Sequence, residues 1–508
     1  MTVLPPSTPQ GGSEPTLSLP PLRTLLWATT ALLLLIHVLQ TLRTAYLTPL
    51  RRVPGPWYAA LTHLPLKYAT LRGRRLHHIH ALHGRHGPLV RVAPTELAAA
   101  APADFRAVHR VGGGFVKAEW YGRFRNSAID DVFSLRDARA HAARRKMLAR
   151  AFGKGALRAA WEGVVRKRVE RAVGRVREEA VREGGAGGAD VYKWWTLMTA
   201  DVIGQVAFGC DFGLVELGKY TPEMEDFELA AAVGAFRAEF TWLHDFLQWL
   251  RLPGLRYFAE ASERFMNYAN VAVANARAGN IGTSNIFNAV LAEHEKDAAA
   301  MDDMTIKCEA VGLIAAGSGT TAVTLTYLVW AVLSRPDLQK RLEDEVGALE
   351  ELSDVQLEEL PLLNAIIDES LRVYGAAPGS LPRVVPEGGA TLSGYYVPAG
   401  TTVSTQAYSI HRDEEVFPDA EKFDPDRFLT DPVLAERQRA VMNPFGGGAR
   451  TCLGVHLARM ELRHAAAFFF RECRGATLAA ETTEESMEIT HHFLIAPAAR
   501  KCNVCIKA

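Results

Sequence analysis

Phe445-Gly446-Gly447-Gly448-Ala449-Arg450-Thr451-Cys452-Leu453-Gly454 is the stretch on which the reading of this chain turns. Three consecutive glycines let backbone come close to a bulky planar ligand, because no Cβ stands in the way. A cysteine follows them. A thiolate needs positive charge or hydrogen-bond donors to stay ionised. Arg450 lies two positions before Cys452, and a helix beginning after Cys452 would aim its positive end at the sulfur. The plainer alternative is a glycine-rich turn with a buried thiol.

Upstream, Glu369-Ser370-Leu371-Arg372 sets an acid and a base three residues apart on one helix face, where they can pair. Phe423-Asp424-Pro425-Asp426-Arg427-Phe428 supplies a second arginine in a proline-containing loop. Met304 to Leu333 is long and mostly apolar, with Gly317-Ser318-Gly319 near its middle. That pattern predicts a buried helix with a local distortion. His141 and Arg145 stand one helical turn apart in a string running to Phe152. Met147, Leu148, Ala151 and Phe152 share one face of it. Helical patterns dominate from Arg139 to Val346, broken by a loop at Gly184, Gly185, Gly187 and Gly188. Further helices are predicted over Pro336–Leu349 and about Leu362–Val373, and again after Cys452. β-prone pieces fall at Thr391–Val397 and Thr401–Gln406. The fold class is mainly α with a minor β region, and no internal repeat is visible.

Together these strings resemble the cytochrome P450 family. Its cysteine-loop pattern is Phe, two free positions, Gly, one free, Arg, one free, Cys, one free, Gly. Phe445, Gly448, Arg450, Cys452 and Gly454 match every fixed position. The resemblance covers nearly the whole chain. It implies one large catalytic domain holding haem b (iron protoporphyrin IX), with Cys452 as the axial iron ligand. The thiolate would push electron density onto the iron. Glu369, Arg372 and Arg427 would form the family's buried network behind the haem. His141, Arg145, Arg383 and His411 resemble its haem-propionate partners, beside Phe445 and Arg450 of the loop itself. Ala316-Gly317-Ser318-Gly319-Thr320-Thr321 resembles its oxygen groove, with Thr320 as the threonine that assists proton delivery. A small-residue helix crossing is the plainer reading of that string. Gly319 stands where the family usually has Asp or Glu, so the relay here would use Thr320, Ser318 and water.

The implied reaction puts one atom of dioxygen into a lipophilic small molecule by hydroxylation or epoxidation. Electrons would come from NADPH through a separate flavoprotein reductase, since no flavin-binding domain is visible in the chain. The likeness to fungal microsomal members points to secondary metabolism by analogy alone. Two alternatives stand beside this reading. One is a haem-thiolate isomerase or dehydratase needing no external electrons, and the Gly319 departure keeps it open. The other is a non-catalytic membrane haem-binding protein. Pocket walls are expected at Phe115–Phe133, Val311–Ala316, Ala376–Leu381 and His491–Ile495.

Composition limits the other possibilities. The chain has 508 residues, 48% of them hydrophobic, and carries 57 basic against 57 acidic residues. No basic excess points to nucleic acid. Six scattered cysteines do not make a disulfide framework. Cys502 and Cys505 lack the second pair or the histidines that zinc would want. His77, His78, His80, His83 and His86 crowd one segment, read as a solvated helix leading into a first strand at Gly87–Val92. Gly112-Gly113-Gly114 is not followed by the Lys-Ser or Lys-Thr of a phosphate loop.

Leu25 to Leu42 carries no formal charge. About 18 residues in a helix span roughly 27 Å, near the hydrocarbon thickness of a bilayer. Arg43, Arg51 and Arg52 follow it and only Arg23 precedes it, which sets the carboxyl side in the cytosol. The expected division is a disordered tail at 1–24, a transmembrane anchor at 25–42, a proline-rich hinge at 43–56 and a catalytic domain at 57–508. The expected location is the endoplasmic reticulum membrane, single-pass, with the catalytic domain cytosolic.

Overall fold

The computed structural model describes residues 22–125, 129–182, 188–250, scattered positions between 264 and 292, and 302–506. The tail before Leu22 and three of the four loop glycines (Gly184, Gly185 and Gly187) lie outside the described residues.

The helix at the amino end runs Leu22–Tyr46, longer at both ends than expected. None of its side chains is buried before Ala45, and those of Leu22–Gln40 are exposed, so an apolar surface stands clear of the body. What was expected to be a hinge is docked. Leu50 and Val53 are buried, and the Arg91 guanidinium donates to the carbonyls of Thr44 (3.1 Å), Ala45 (3.2 Å) and Pro94 (2.7 Å). A Cβ at Gly55 would lie 2.5 Å from the Arg91 carbonyl, so only glycine lets this segment lie against the sheet.

That sheet has five short strands, in the order Leu89–Ala93, Glu96–Ala99, Thr402–Thr405, Arg383–Val384 and Val116–Lys117. Pairing is antiparallel except between Glu96–Ala99 and Thr402–Thr405. The stretch Thr391–Val397 is a hairpin, Ala390–Leu392 against Tyr395–Val397. It turns at Ser393 and Gly394, both with positive φ. The Asp104 carboxylate holds that turn by accepting from the Ser393 amide at 2.9 Å.

Helices form the rest. Asp303–Leu333 is the central one, started by the Asp302 carboxylate accepting from the Thr305 amide. It is long and apolar enough to cross a membrane, yet 61% of its apolar window is buried, as suits a core helix. It runs unbroken through Gly317 and Gly319, so the expected distortion does not interrupt it. Against it pack Val191–Phe208, Pro361–Tyr374 and Val455–Glu472. The helix with His141 and Arg145 is Ala138–Ala149. It ends before Ala151 and Phe152, although Leu148 and Phe152 are still buried. The helix Pro336–Gly347 ends two residues before Leu349.

The histidine-rich helix, Arg75–His86, departs from expectation. His77, His78, His80, His83 and His86 are half-buried rather than solvated. Among the described residues no cluster of metal-ligating side chains forms. Cys452, Cys473, Cys502 and Cys505 are free thiols.

Candidate active site

The cysteine loop makes the floor of a cavity of about 1100 Å³. The Cys452 amide donates to the Phe445 carbonyl at 2.8 Å, closing the loop on itself. Gly448 has φ +62°, and a Cβ there would collide with the His109 carbonyl oxygen. A Cβ at Gly447 would meet the Phe105 ring at 2.8 Å. The glycines therefore serve two ends, an open face toward the cavity and a close seat on residues 105–109 behind. Cys452 is open to the cavity and otherwise enclosed by protein. Burial pushes its thiol up, while the Gly454 amide and the Arg145 charge act the other way. The helix Val455–Glu472 begins directly after this amide.

Across the cavity stands the central helix. Gly317 sits where a Cβ would lie 2.5 Å from the Ile203 side chain, so its smallness serves the crossing with Val191–Phe208. The Thr199 hydroxyl donates to the Ser318 carbonyl at 2.5 Å across the same crossing. Ser318 is fully buried in it and donates to the Ile314 carbonyl at 2.7 Å, so it does not face the cavity. Thr320 does line the cavity, with Ala316 and Gly317, and its hydroxyl donates to the Ala316 carbonyl at 2.9 Å. One string thus holds both a helix crossing and a cavity-facing hydroxyl. Of the two hydroxyls expected to share a relay, Thr320 faces the cavity and Ser318 does not.

Among the cationic or protonatable groups of the cavity wall, five lie near one another: Lys117, His141, Arg145, Arg383 and Arg450. Arg145 donates to the Thr451 carbonyl (2.7 Å) and Arg450 to the Leu135 carbonyl (2.7 Å), which ties the loop to its flanks. Arg383 donates to the Tyr121 hydroxyl at 3.0 Å. Among the described residues none of the five reaches a carboxylate at ion-pair distance. Burial lowers the His141 pKa to about 4, with Arg450, Lys117, Arg145 and Arg383 adding repulsion. Arg450 falls to about 10, through burial first and then Arg383. A wall of buried and half-buried cationic groups lacking contact counter-ions suits a ligand that brings carboxylates. With a thiol on the floor and a glycine-cleared face, these residues fit haem.

His411 does not belong to that wall. It is fully buried outside the cavity, its Nδ1 meeting the Arg372 carbonyl (3.1 Å) and its Nε2 accepting from the Asn443 amide (2.9 Å). Both ring nitrogens are used, so its expected place beside a propionate is corrected to one in the network behind the loop. In that network Arg372 grips the Glu369 carboxylate at 2.7 and 2.8 Å, and Arg427 reaches it at 3.1 Å. The Asp424 amide adds a fourth donor at 2.8 Å. None of these residues touches the cavity.

The four expected wall segments all contribute to the cavity. Trp120, Phe124, Phe133 and Phe493 cluster on one side, with ring centroids 4.7 to 6.2 Å apart. Sequence reasoning missed Lys117 and Glu461. Lys117 gave no periodic signal within its two-residue strand. Glu461 did leave one, a lone acid on the apolar side of an amphipathic helix. It lies in the cavity wall beside Thr321, and burial raises its pKa to about 8.

The family model described as cytochrome P450 matches residues 53–504. A cytochrome P450 monooxygenase of Emericella nidulans (stcB) is 41% identical, covering 92% of this chain and 91% of its own. One of Dothistroma septosporum (cypX) is also 41% identical, covering 94% and 95%. One of Aspergillus parasiticus (aflV) is 39% identical, covering 92% and 93%. The chain belongs to the cytochrome P450 family and is an enzyme of its monooxygenase type.

Proposed function

We propose that the chain holds haem b with Cys452 as its axial ligand and hydroxylates or epoxidises a lipophilic small molecule in a fungal biosynthetic pathway. NADPH supplies the electrons through a separate flavoprotein reductase. The observation that carries this reading is the placing of Cys452 and Thr320 on the same cavity, between the glycine-cleared loop and the central helix. When bound, the haem supplies the activation of dioxygen, which no amino-acid side chain can provide. The protein's own groups do the rest. Arg145, Arg383 and Arg450 neutralise the cofactor's carboxylates, while neutral His141 stands ready as a donor. Phe445 and the network on Glu369 keep the loop rigid. Thr320 presents a hydroxyl that moves protons with ordered water. Apolar walls exclude bulk solvent and orient the substrate.

The helix Leu22–Tyr46 serves as a single-pass anchor in the endoplasmic reticulum membrane, with the catalytic domain cytosolic. Its length, apolar surface and following arginines support this. The catalytic body then starts at the docked segment Leu50–Val53 rather than at residue 57.

Turnover under labelled dioxygen, with NADPH and reductase present or absent, tests the reaction. Label in the product and dependence on reductase are expected. An unlabelled product formed without reductase would replace this reading with the isomerase or dehydratase, which the missing acid at Gly319 keeps in view.

A further inference from the structure

The segment that carries Phe133 is fastened to the central helix at two points. Glu309 and Gly312 lie three residues apart on Asp303–Leu333, so they share a face of it. Glu309 is fully buried, and its carboxylate accepts from the Val132 amide at 2.9 Å. The Arg144 guanidinium donates to the same oxygen at 2.7 Å. Asp131 is buried against Gly312, where a Cβ would collide with its carboxylate. That carboxylate pairs with Arg125 and closes its own turn by accepting from the Ser134 amide at 2.8 Å. On the other side, the Phe133 carbonyl accepts from the Lys117 ammonium at the sheet edge. Phe133 is thus held before and behind. Its ring lines the cavity, with centroids 5.3 Å from Tyr121 and 5.8 Å from Phe493.

We propose that Glu309 and Gly312 form a dock that sets how far the Phe133 ring reaches into the cavity, and so the width of the ligand that the site accepts. Glu309 and Gly312 are positioning residues, and Phe133 makes the contact. Buried ion pairs add little net stability, but they hold geometry firmly, because a displaced partner is left buried and unpaired. The Val132 amide adds a second restraint, since a buried N–H must keep an acceptor. The bare backbone at Gly312 lets Asp131 lie one side chain closer to the helix than any other residue would allow.

The test uses the full-length holoprotein and rests on the haem reading given above, because its probes report through the iron. Affinities for imidazole and for clotrimazole, an imidazole carrying three aryl rings, are read from difference spectra. The proteins are wild type, Gly312→Ala, Phe133→Ala and the double variant. Gly312→Ala should lift the loop and withdraw the ring. Clotrimazole affinity should then fall roughly fivefold, while imidazole, which has no aryl ring, binds as before. Phe133→Ala should show the same split, and the double variant should be no weaker than either single one. Glu309→Ala should follow the pattern. Glu309→Gln, which keeps an oxygen for the Val132 amide, should restore most of the affinity, and this pair decides the matter if Gly312→Ala does not fold. Losses that add in the double variant would show that Gly312 acts without Phe133. Unchanged clotrimazole affinity in Phe133→Ala would show that the ring does not bound the ligand space. Either result overturns the proposal, as does a glutamine that fails to rescue. A wild-type protein that takes up no haem and gives no imidazole spectrum would instead strike at the haem reading.

Discussion

Arg372 and His411 hold each other twice: the guanidinium donates to the His411 carbonyl at 2.8 Å, and the imidazole Nδ1–H donates to the Arg372 carbonyl at 3.1 Å. The other imidazole nitrogen accepts from the Asn443 amide, two residues before Phe445. A chain of contacts therefore runs from the Glu369 carboxylate to the start of the cysteine loop. The pattern requires a neutral imidazole, and burial lowers the His411 pKa to about 3, which keeps it so.

Glu369→Ala should be among the most damaging single changes. It leaves the buried Arg372 and Arg427 guanidinia without a carboxylate. Breaking such a buried pair costs about 3–5 kcal/mol. A large drop in melting temperature and in haem content is expected. Arg372→Lys should not preserve either, because one ammonium cannot replace two parallel bonds and the carbonyl contacts. A Glu369→Ala protein with native melting and full haem content would contradict the network's role.

How far the sequence showed this site depends on the range of each contact. Glu369 and Arg372 pair within one helical turn, so their spacing alone exposed them. His411 meets partners 32 and 39 residues away, and no local pattern reports that. Lys117 meets Arg383 through strand register, equally invisible in the string. Ser318 was legible and misread, since residues two apart on a helix do not share a face. With Thr320 toward the cavity, Ser318 had to point into the crossing. The fold class was readable because long apolar helices announce themselves. The docking of Leu50 and Val53 was not, since it depends on Arg91 in the sheet.

The proton relay predicts a contrast between those two hydroxyls. Thr320→Ala should raise peroxide release and lower product per NADPH consumed by several-fold. Ser318→Ala should leave coupling unchanged and affect only stability, by about 1 kcal/mol. Parallel measurement of NADPH, peroxide and product decides it, and equal uncoupling in both variants would reject the assignment to Thr320.

Stability should carry a pH signature from Glu461. Its folded pKa, about 8, lies above the ordinary 4.5 because burial disfavours the charged form. The stability it contributes is therefore full below pH 4.5 and is lost progressively as pH rises toward 8. Glu461→Gln cannot ionise. Its melting temperature relative to wild type should rise between pH 5 and pH 8. A difference that stays flat across that range would mean the carboxyl is not held neutral.

Removal of residues 1–42 should release the protein from membranes and leave its haem spectrum intact. That cut keeps Thr44 and Ala45, the carbonyl partners of Arg91. Extending the deletion through Val53 removes those acceptors and the buried Leu50 and Val53, so the longer truncation should lose at least about 3 kcal/mol. Sedimentation with membranes and thermal melting of both truncations check the division. Equal stability of the two would show that the segment is not part of the body.

The axial role of Cys452 is the centre of the account, and the spectrum of the reduced carbon monoxide complex tests it most directly. Thiolate ligation places the main band at a characteristic long wavelength, away from the position given by imidazole or thiol. The wild-type protein should show the long-wavelength band, and Cys452→His should lose it together with turnover. A Cys452→His protein that keeps the same band would show that another residue, or none, holds the iron.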